Sequence, residues 1–379
     1  MALSHRERVI RTLNHEEPDR VPFDLCGTGN SSIHIEKYQE LKAHFAFEGE
    51  DSFVNEGGQI AFVHEPILEA LDIDFRCVTP GLSDSSPNQP VGEDGYKDEW
   101  GVLRRKPPGS LYYDVVGFPL AGRLSVKDIA NYPWPDPSDP GYTRGLRDRV
   151  LAYRQNTDCA ITLRIPSPFV HVTQFLRGFE DWFADLAADQ KLAGALFDAT
   201  LEVTSAQAAH ILKEAGDLVD IVAFGDDLGF QTGPMVSPEA YRRLLKPWHK
   251  RYFDTVKEHT DAFIHFHCCG SISQLLDDLI DIGVDAINPV QVAAKDMDSG
   301  MLAHEFGDRV SFWGGVDTQS VLPDGSTEDV RAEVKQRISD FAPGGGYILG
   351  TVHNIQTGVP VENIIAMYEA GNEYGRYPM

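Results

Sequence analysis

The sequence predicts an α/β protein in which parallel strands alternate with covering helices. Three observations carry that reading. From residue 158 onward, apolar strand-like runs alternate with amphipathic helical runs. The composition, with 42% apolar, 10% aromatic and 24% charged residues, is that of a folded globular enzyme and not of a disordered chain. No apolar run approaches the length needed to span a bilayer. At 379 residues the chain can bury a large core, and a (β/α)8 barrel or an open doubly wound sheet both fit the pattern.

The first segment, MALSHRERVIRTLNHEEPDR, reads as an amphipathic helix. Ser4 stands three residues before Glu7 in capping-box register, and Val9, Ile10 and Leu13 share a face. Pro18 and Pro22 bracket its exit. The segment has no apolar core and no small-residue cleavage site, so no signal peptide is expected. Val21–Cys26 follows as a short strand and GTGNSS as a loop. Residues 80–140 are rich in Pro, Gly, Asp and Ser. They read as an irregular excursion of turns with a hairpin, carrying strand-like pieces at 96–104 and 112–116 and no core of its own.

Strands are then expected at 159–165, 218–224, 262–268, 285–290, 309–313 and 347–352. The helix after residue 271 sets Ile272, Leu275, Leu276, Leu279 and Ile280 on one stripe and stops at Gly283. The next opens at Ser326, with Asp329 in box position, and carries Val330, Val334, Ile338 and Phe341 on its face. The last presents Val361, Ile364, Ile365 and Tyr368. Gly27-Thr28-Gly29 lacks dinucleotide-loop spacing, and Gly344–Gly346 precedes a strand, so both read as turns and not as phosphate cradles.

Lys plus Arg number 33 against 58 Asp plus Glu, a formal charge of −25. Protonating all 13 histidines still leaves an acidic excess. That balance argues against nucleic acid or an anionic membrane as the partner. The five cysteines are odd in number and the chain is large, which does not match a secreted disulfide framework, so a reducing cytoplasm is expected.

The strand Phe263-Ile-His-Phe-His-Cys-Cys269 is the most informative segment. Strand side chains alternate faces, so His265, His267 and Cys269 point one way and Ile264, Phe266 and Cys268 the other. The face toward covering helices must be apolar. The polar face therefore looks inward, and its last residues reach the C-terminal mouth, where barrel chemistry sits. His267 and Cys269 are two apart, about 6–7 Å between α-carbons, so both can bind one metal. An imidazole nitrogen plus a thiolate suits Zn²⁺, which at a catalytic site takes a third protein ligand and keeps an open position. His353, closing the strand at 347–352, is the candidate third ligand. Buried Cys and lone His are common without any metal, so the reading depends on all three meeting.

Further candidates come from position. Asp226 and Asp227, inside GDDLGFQTG, are paired acids placed for acid–base work or a fourth metal position, with a turn or helix cap as the competing reading. Asp24 on the first strand and Arg164 before Pro166 are substrate-binding candidates, the arginine for a carboxylate. Asn288 and Gln291 flank the end of the strand at 285–290 and Asp317 follows the strand at 309–313, which makes all three site-lining candidates.

The segments HFHCCGSISQLLDDLIDIGVDAINPVQ, VSFWGGVDTQSVL and GGGYILGTVHNIQTGVPVENIIAMYEA resemble the uroporphyrinogen decarboxylase superfamily, as does HRERVIRTLNHEEPDRVPFDL. The resemblance is dense over 210–375 and lighter over 1–80. It implies a (β/α)8 TIM barrel, one domain over 1–379, with its site at the C-terminal mouth. The superfamily holds uroporphyrinogen decarboxylases and also zinc-dependent methyltransferases that work with corrinoid proteins. His267-Cys268-Cys269 resembles the His-x-Cys of the methyltransferase branch. That branch has a distant Cys before a Pro-x-Glu-Asn segment. With Pro360, Glu362 and Asn363 in register, His353 occupies that place, so the implied zinc ligands are His267, Cys269 and His353.

His353 also resembles a histidine of the decarboxylases, so it does not separate the branches. Decarboxylases carry Arg-Gln-Ala-Gly-Arg after the first strand to hold substrate carboxylates, whereas this chain has Gly27-Thr-Gly-Asn-Ser31. The resemblance thus implies a zinc-dependent methyltransferase. It would move a methyl group between a small thiol, ether or amine and a corrinoid carried on a partner protein. The alternatives are metal-free decarboxylation of uroporphyrinogen, or a tetrapyrrole-binding barrel without turnover. Oligomeric state stays open, a homodimer being one option.

Overall fold

The computed structural model describes residues 3–379. Its first helix, His5–Leu13, opens with the expected capping box. The Ser4 hydroxyl accepts from the Glu7 N–H, and the Glu7 carboxylate accepts from the Ser4 N–H at 2.8 Å. Seven strands form the main sheet. They are β1 (Phe75–Val78), β2 (Ala160–Arg164), β3 (Ile221–Gly225), β4 (Phe263–His267), β5 (Ala286–Asn288), β6 (Ser311–Trp313) and β7 (Tyr347–Ile348). Each is parallel to the next, and spatial order follows chain order. Parallel neighbours need long crossovers, and helices supply them, as the strand–helix rhythm requires.

Strand alternation sorts the side chains. Phe75, Ala160, Ile221, Ala286, Trp313 and Ile348 point into the curled sheet and pack with Val9 and Leu13, so helix His5–Leu13 plugs the N-terminal end. Ile161, Val222, Ile264, Phe266, Ile287 and Phe312 face the opposite way, into the large core shared with the helices. Full burial of each such side chain contributes about 1.5–3 kcal/mol.

The strict (β/α)8 barrel is not formed. The sheet has seven strands and is open between β7 and β1. The segment expected as a first strand, Val21–Cys26, lies in that gap as irregular chain. Phe23 makes one parallel bridge with Leu349, and its carbonyl accepts from the Asp74 N–H. Pro22 has no N–H to give a ladder, and Cys26 sits at φ 62, outside the strand region. Other strands are shorter than expected for similar reasons. β5 stops before Pro289, and β6 stops before Gly314 and Gly315, at φ 101 and 102.

One buried ion cluster fastens the plug to the sheet. Asp74 is fully buried and receives Arg8 Nη1 at 2.7 Å, Arg20 Nη1 at 2.8 Å and the Phe23 N–H at 2.6 Å. The cluster joins the first helix, the gap-filling segment and the residue before β1.

The excursion holds more order than its sequence promised. Residues 89–90, 95–97, 103–105 and 114–117 form a four-stranded antiparallel sheet in sequential order. Strands of two to four residues are too short for alternation to be read from sequence. Its apolar residues Val102, Leu120 and Ile129 pack on Leu176, Leu192 and Leu196, which belong to helices Val170–Arg177 and Gln190–Ala215. Among the described residues, no helix is long and apolar enough to cross a membrane.

Asp74→Ala leaves two arginines buried without their shared carboxylate and is expected to destabilise the fold by about 3–5 kcal/mol, read from urea unfolding midpoints. A second expectation concerns pH. Hydrogen bonding to Asp72 at 2.9 Å, supported by Cys159 and Asp158, raises the His5 pKa from 6.5 to about 11. A raised folded pKa stabilises fully below the unfolded value and loses its effect as pH climbs toward the folded value. His5→Gln should therefore lose most stability, relative to wild type, below about pH 6.5. The gap should close as the buffer turns alkaline.

Candidate metal centre

β4 ends at His267, and the chain leaves the sheet through Cys268 and Cys269. Inward alternation places His265 one layer deeper, edge-on to Trp313 with ring centroids 4.7 Å apart, and His267 at the mouth. Two hydrogen bonds hold the turn that follows. The Cys269 N–H donates to Asp227 Oδ1 and the Gly270 N–H to Gln291 Oε1, both at 2.8 Å. Gly270 itself is at φ 93 and so close to Gly229 that a Cβ would lie 2.4 Å from its carbonyl carbon, which leaves no room for a side chain. Cys269 Sγ comes to 3.2 Å from His267 Nε2.

His353 enters from the loop after β7, its ring centroid 5.3 Å from that of His267. One donor atom from each of His267, Cys269 and His353 lies within 4.8 Å of the other two. Nitrogen and sulfur donors on a tetrahedral zinc lie roughly 3.3–3.8 Å apart, so small side-chain adjustments bring the triad to ligating distances.

The His267 tautomer follows from its neighbours. Asn288 Nδ2 donates to the Trp313 carbonyl at 3.1 Å, which turns Asn288 Oδ1 toward His267. His267 Nδ1–H donates to that oxygen at 2.7 Å, leaving Nε2 with its lone pair toward the sulfur. Burial lowers the His267 pKa. Burial and the nearby His267 lower that of His353 to about 4. Both rings are therefore neutral donors at physiological pH. Burial and the Asp227 carboxylate push the Cys269 thiol well up, and a divalent cation beside the sulfur is what would reverse this. Two neutral imidazoles and one thiol, with an open side, make a donor set that suits zinc of the catalytic kind.

A cavity of about 1280 Å³ opens over this cluster. His267, His353, Asp227, His171 and Arg164 bound it on the sheet side, while Tyr96 on the antiparallel sheet and Trp100 and Tyr112 in its connecting segments come from the excursion. The excursion is therefore a wall of the mouth. The Tyr112 hydroxyl donates to Gln356, which ties that wall to the His353 loop. Arg104 stacks over Phe175 at 5.1 Å and pairs with Asp98 at 3.0 Å, holding the wall to helix Val170–Arg177.

The expected acid pair is split. Asp226 has no exposed surface. Its carboxylate accepts from the backbone N–H groups of Phe169, Val170 and His171 at 2.9–3.1 Å and from His249 Nε2 at 3.2 Å. It anchors the start of helix Val170–Arg177 and faces away from the cavity, so it is no acid or base there. Burial alone would raise its pKa, but His249 and His171 outweigh it and the group stays ionised. Asp227 does face the cavity. Its Oδ2 lies 3.2 Å from His171 Nε2 and its Oδ1 3.9 Å from His267 Nε2. The parity of β3 explains the split: Ile221, Ala223 and Gly225 point inward, so Asp227 continues inward and Asp226 does not.

The remaining candidates divide as well. Arg164 lines the cavity, whereas Asp24, Asn288, Gln291 and Asp317 do not. Asp24 is buried beneath it, accepting from Trp313 Nε1 at 2.6 Å and the Gly27 N–H at 2.7 Å, and burial pushes its pKa up to about 6. Asn288 acts on His267 rather than on the open space, and Gln291 braces the cysteine turn. Asp317 accepts from the N–H groups of Gln319, Ser320 and Val321 and so caps the turn into helix Val321–Asp324.

His171 was not legible. Burial would lower its pKa, but Asp227 overrides this and raises it to about 9. In sequence it sits in an apolar FVHV run, and only its i, i+4 spacing to Phe175, on which it stacks with centroids 5.9 Å apart, hints at a shared face.

Asp226→Ala leaves three helix N–H groups and a histidine without their acceptor in a dry site. It is expected to lower stability by at least about 3 kcal/mol in chemical denaturation, which is a structural and not a catalytic signature.

Comparison with known proteins agrees with this architecture. The chain is 24% identical over 382 residues to a uroporphyrinogen decarboxylase from Alkalilimnicola ehrlichii, covering 98% of this chain and 94% of that protein. A methyltransferase from Methanosarcina mazei shares the fold, with a TM-score of 0.67 over 98% of this chain and 99% of that one, at 16% identity. The profile of the Uroporphyrinogen decarboxylase (URO-D) family matches residues 119–374, about two thirds of the sequence, and so the chain belongs to the uroporphyrinogen decarboxylase family.

Proposed function

We propose that this protein is a zinc-dependent methyltransferase. It moves a methyl group between a small thiol, ether or amine and a corrinoid carried on a partner protein. The observation that supports this is the convergence of His267, Cys269 and His353, one donor atom each, within 4.8 Å at the mouth of the sheet. When bound there, zinc lowers the pKa of a coordinated thiol or polarises an ether or amine. The chain's own residues do the rest. Asn288 keeps Nε2 of His267 aimed at the metal position. Asp227 holds the Cys269 backbone and pairs with His171, whose imidazolium faces the same cavity and is placed to pass a proton to a departing group.

The 24% identity to a uroporphyrinogen decarboxylase favours a second reading, a carboxy-lyase that needs no metal. Metal analysis and two assays separate them. The methyltransferase reading expects one zinc per chain by plasma mass spectrometry, lost in Cys269→Ala and in His353→Ala. It expects methylation of free cob(I)alamin by the donor substrate and no loss of carboxylate from uroporphyrinogen. Metal-free, folded protein that decarboxylates the porphyrinogen overturns it. Asn288→Ala should weaken zinc about 10–100-fold in a chelator competition while leaving the unfolding transition cooperative.

A further inference from the structure

Among the described residues, no carboxylate pairs with one of the arginines lining the cavity. Arg164 is the last residue of β2, on the inward face. The four buried arginines all meet carboxylates. Arg8 and Arg20 meet Asp74 at 2.7 and 2.8 Å, Arg76 meets Glu65 at 2.5 Å, and Arg177 meets Asp185 at 2.8 Å. Arg104, also lining the cavity, has Asp98. Among the described residues, Arg164 has no carboxylate within 4.0 Å and donates no side-chain hydrogen bond, although acidic groups outnumber basic ones 58 to 33. Four carboxylates share the cavity; Glu56 is exposed and lies beyond 4.0 Å from Arg164, and the other three are engaged. Asp98 binds Arg104, Glu99 accepts from the Tyr142 hydroxyl at 2.6 Å, and Asp227 binds His171.

Arg164 is exposed to the cavity, so its guanidinium is open to an anionic ligand, while the protein around it lowers its pKa by desolvation. Gly29 borders the guanidinium: a Cβ placed there would make ordinary van der Waals contact with Arg164 Nη1 at 3.6 Å. The neighbouring loop offers little to a phosphate. The N–H groups of Gly27, Thr28 and Asn30 are taken by Asp24, Ser31 and Thr28 side chains. One planar fork without a backbone nest matches a carboxylate monoanion.

The register places this fork relative to the candidate metal site. Arg164 is level with Ala223 on β3, and Ala223 is level with His265 on β4. That is two strand spacings, roughly 10 Å, and one two-residue step short of His267. We infer that Arg164 anchors a carboxylate on the substrate, so that the protein takes small carboxylic acids whose thiol, ether or amine group reaches His267, Cys269 and His353. The carboxylate subsite itself stands on Arg164 alone, while its link to the heteroatom rests on the methyltransferase reading.

Calorimetric titration tests this with four probes: β-mercaptopropionate, its neutral alcohol counterpart, propionate and inorganic phosphate. Each is titrated into wild type, Arg164→Gln and Arg164→Lys, both zinc-loaded and chelator-treated. Wild type is expected to bind the mercapto acid about tenfold or more tightly than the neutral thiol. Arg164→Gln should erase that preference, with the neutral thiol unchanged, and Arg164→Lys should keep part of it. Unaltered unfolding midpoints in both variants exclude misfolding as the cause. Equal binding of charged and neutral thiols by wild type, a preference that survives Arg164→Gln, phosphate binding as tight as the carboxylates, or no detectable carboxylate binding each overturns the inference. The two ideas fail separately. Propionate binding that depends on Arg164 in protein that takes up no zinc sinks the methyltransferase reading alone.

Discussion

A short relay of two hydrogen bonds, from the Trp313 carbonyl to Asn288 and from Asn288 to His267, decides what the mouth of this sheet can do. It fixes which ring nitrogen carries the proton and which presents a lone pair. A histidine free to turn would share its lone pair among several directions. Here the amide is oriented by a backbone carbonyl on the adjacent strand, so the constraint comes from the sheet itself. Trp313 serves this relay twice. Its carbonyl orients Asn288, and its indole N–H holds Asp24 at 2.6 Å beneath the cavity. Site and core are therefore one hydrogen-bonded unit.

The relay needs a rigid base, and the N-terminal end provides it. Helix His5–Leu13 closes the bottom of the curled sheet through Val9 and Leu13, and Asp74 binds it there through two arginines. The irregular segment at 21–26 spans the seam that a regular eighth strand would occupy. An open seam leaves the sheet's edges without full ladders, so the buried ion cluster supplies part of what strand pairing does elsewhere.

Charge at the mouth is arranged by parity. Two adjacent aspartates part company because neighbouring residues on a strand face opposite ways. One serves a helix start and the other serves the cavity. The same rule gathers Arg164, His267 and Asp227 on the inward side, while the excursion lays an aromatic wall across from them. The result is a chamber with His267 and Cys269 at the end of β4, His353 from the loop after β7, and the Arg164 guanidinium two strands from β4.

Local rules made much of this readable from the amino-acid order. Capping boxes at Ser4 and Ser326, the stop at Gly283 and the two-residue period of FIHFHCC each depend on neighbours within a few positions, so composition and spacing sufficed. His267 and Cys269 are visible together for that reason, whereas His353, 84 residues beyond Cys269, is a candidate from its place at a strand end and from motif resemblance, and its approach to them depends on the fold. Long-range pairing was not readable. Whether the sheet closes, that Asp226 meets N–H groups about 56 residues earlier, that Asn288 faces a histidine and not the cavity, and that Arg164 lines the cavity with no carboxylate among the described residues within 4.0 Å all depend on strand register and helix placement. Register is set by the summed burial of the whole core, a property no short window of sequence contains.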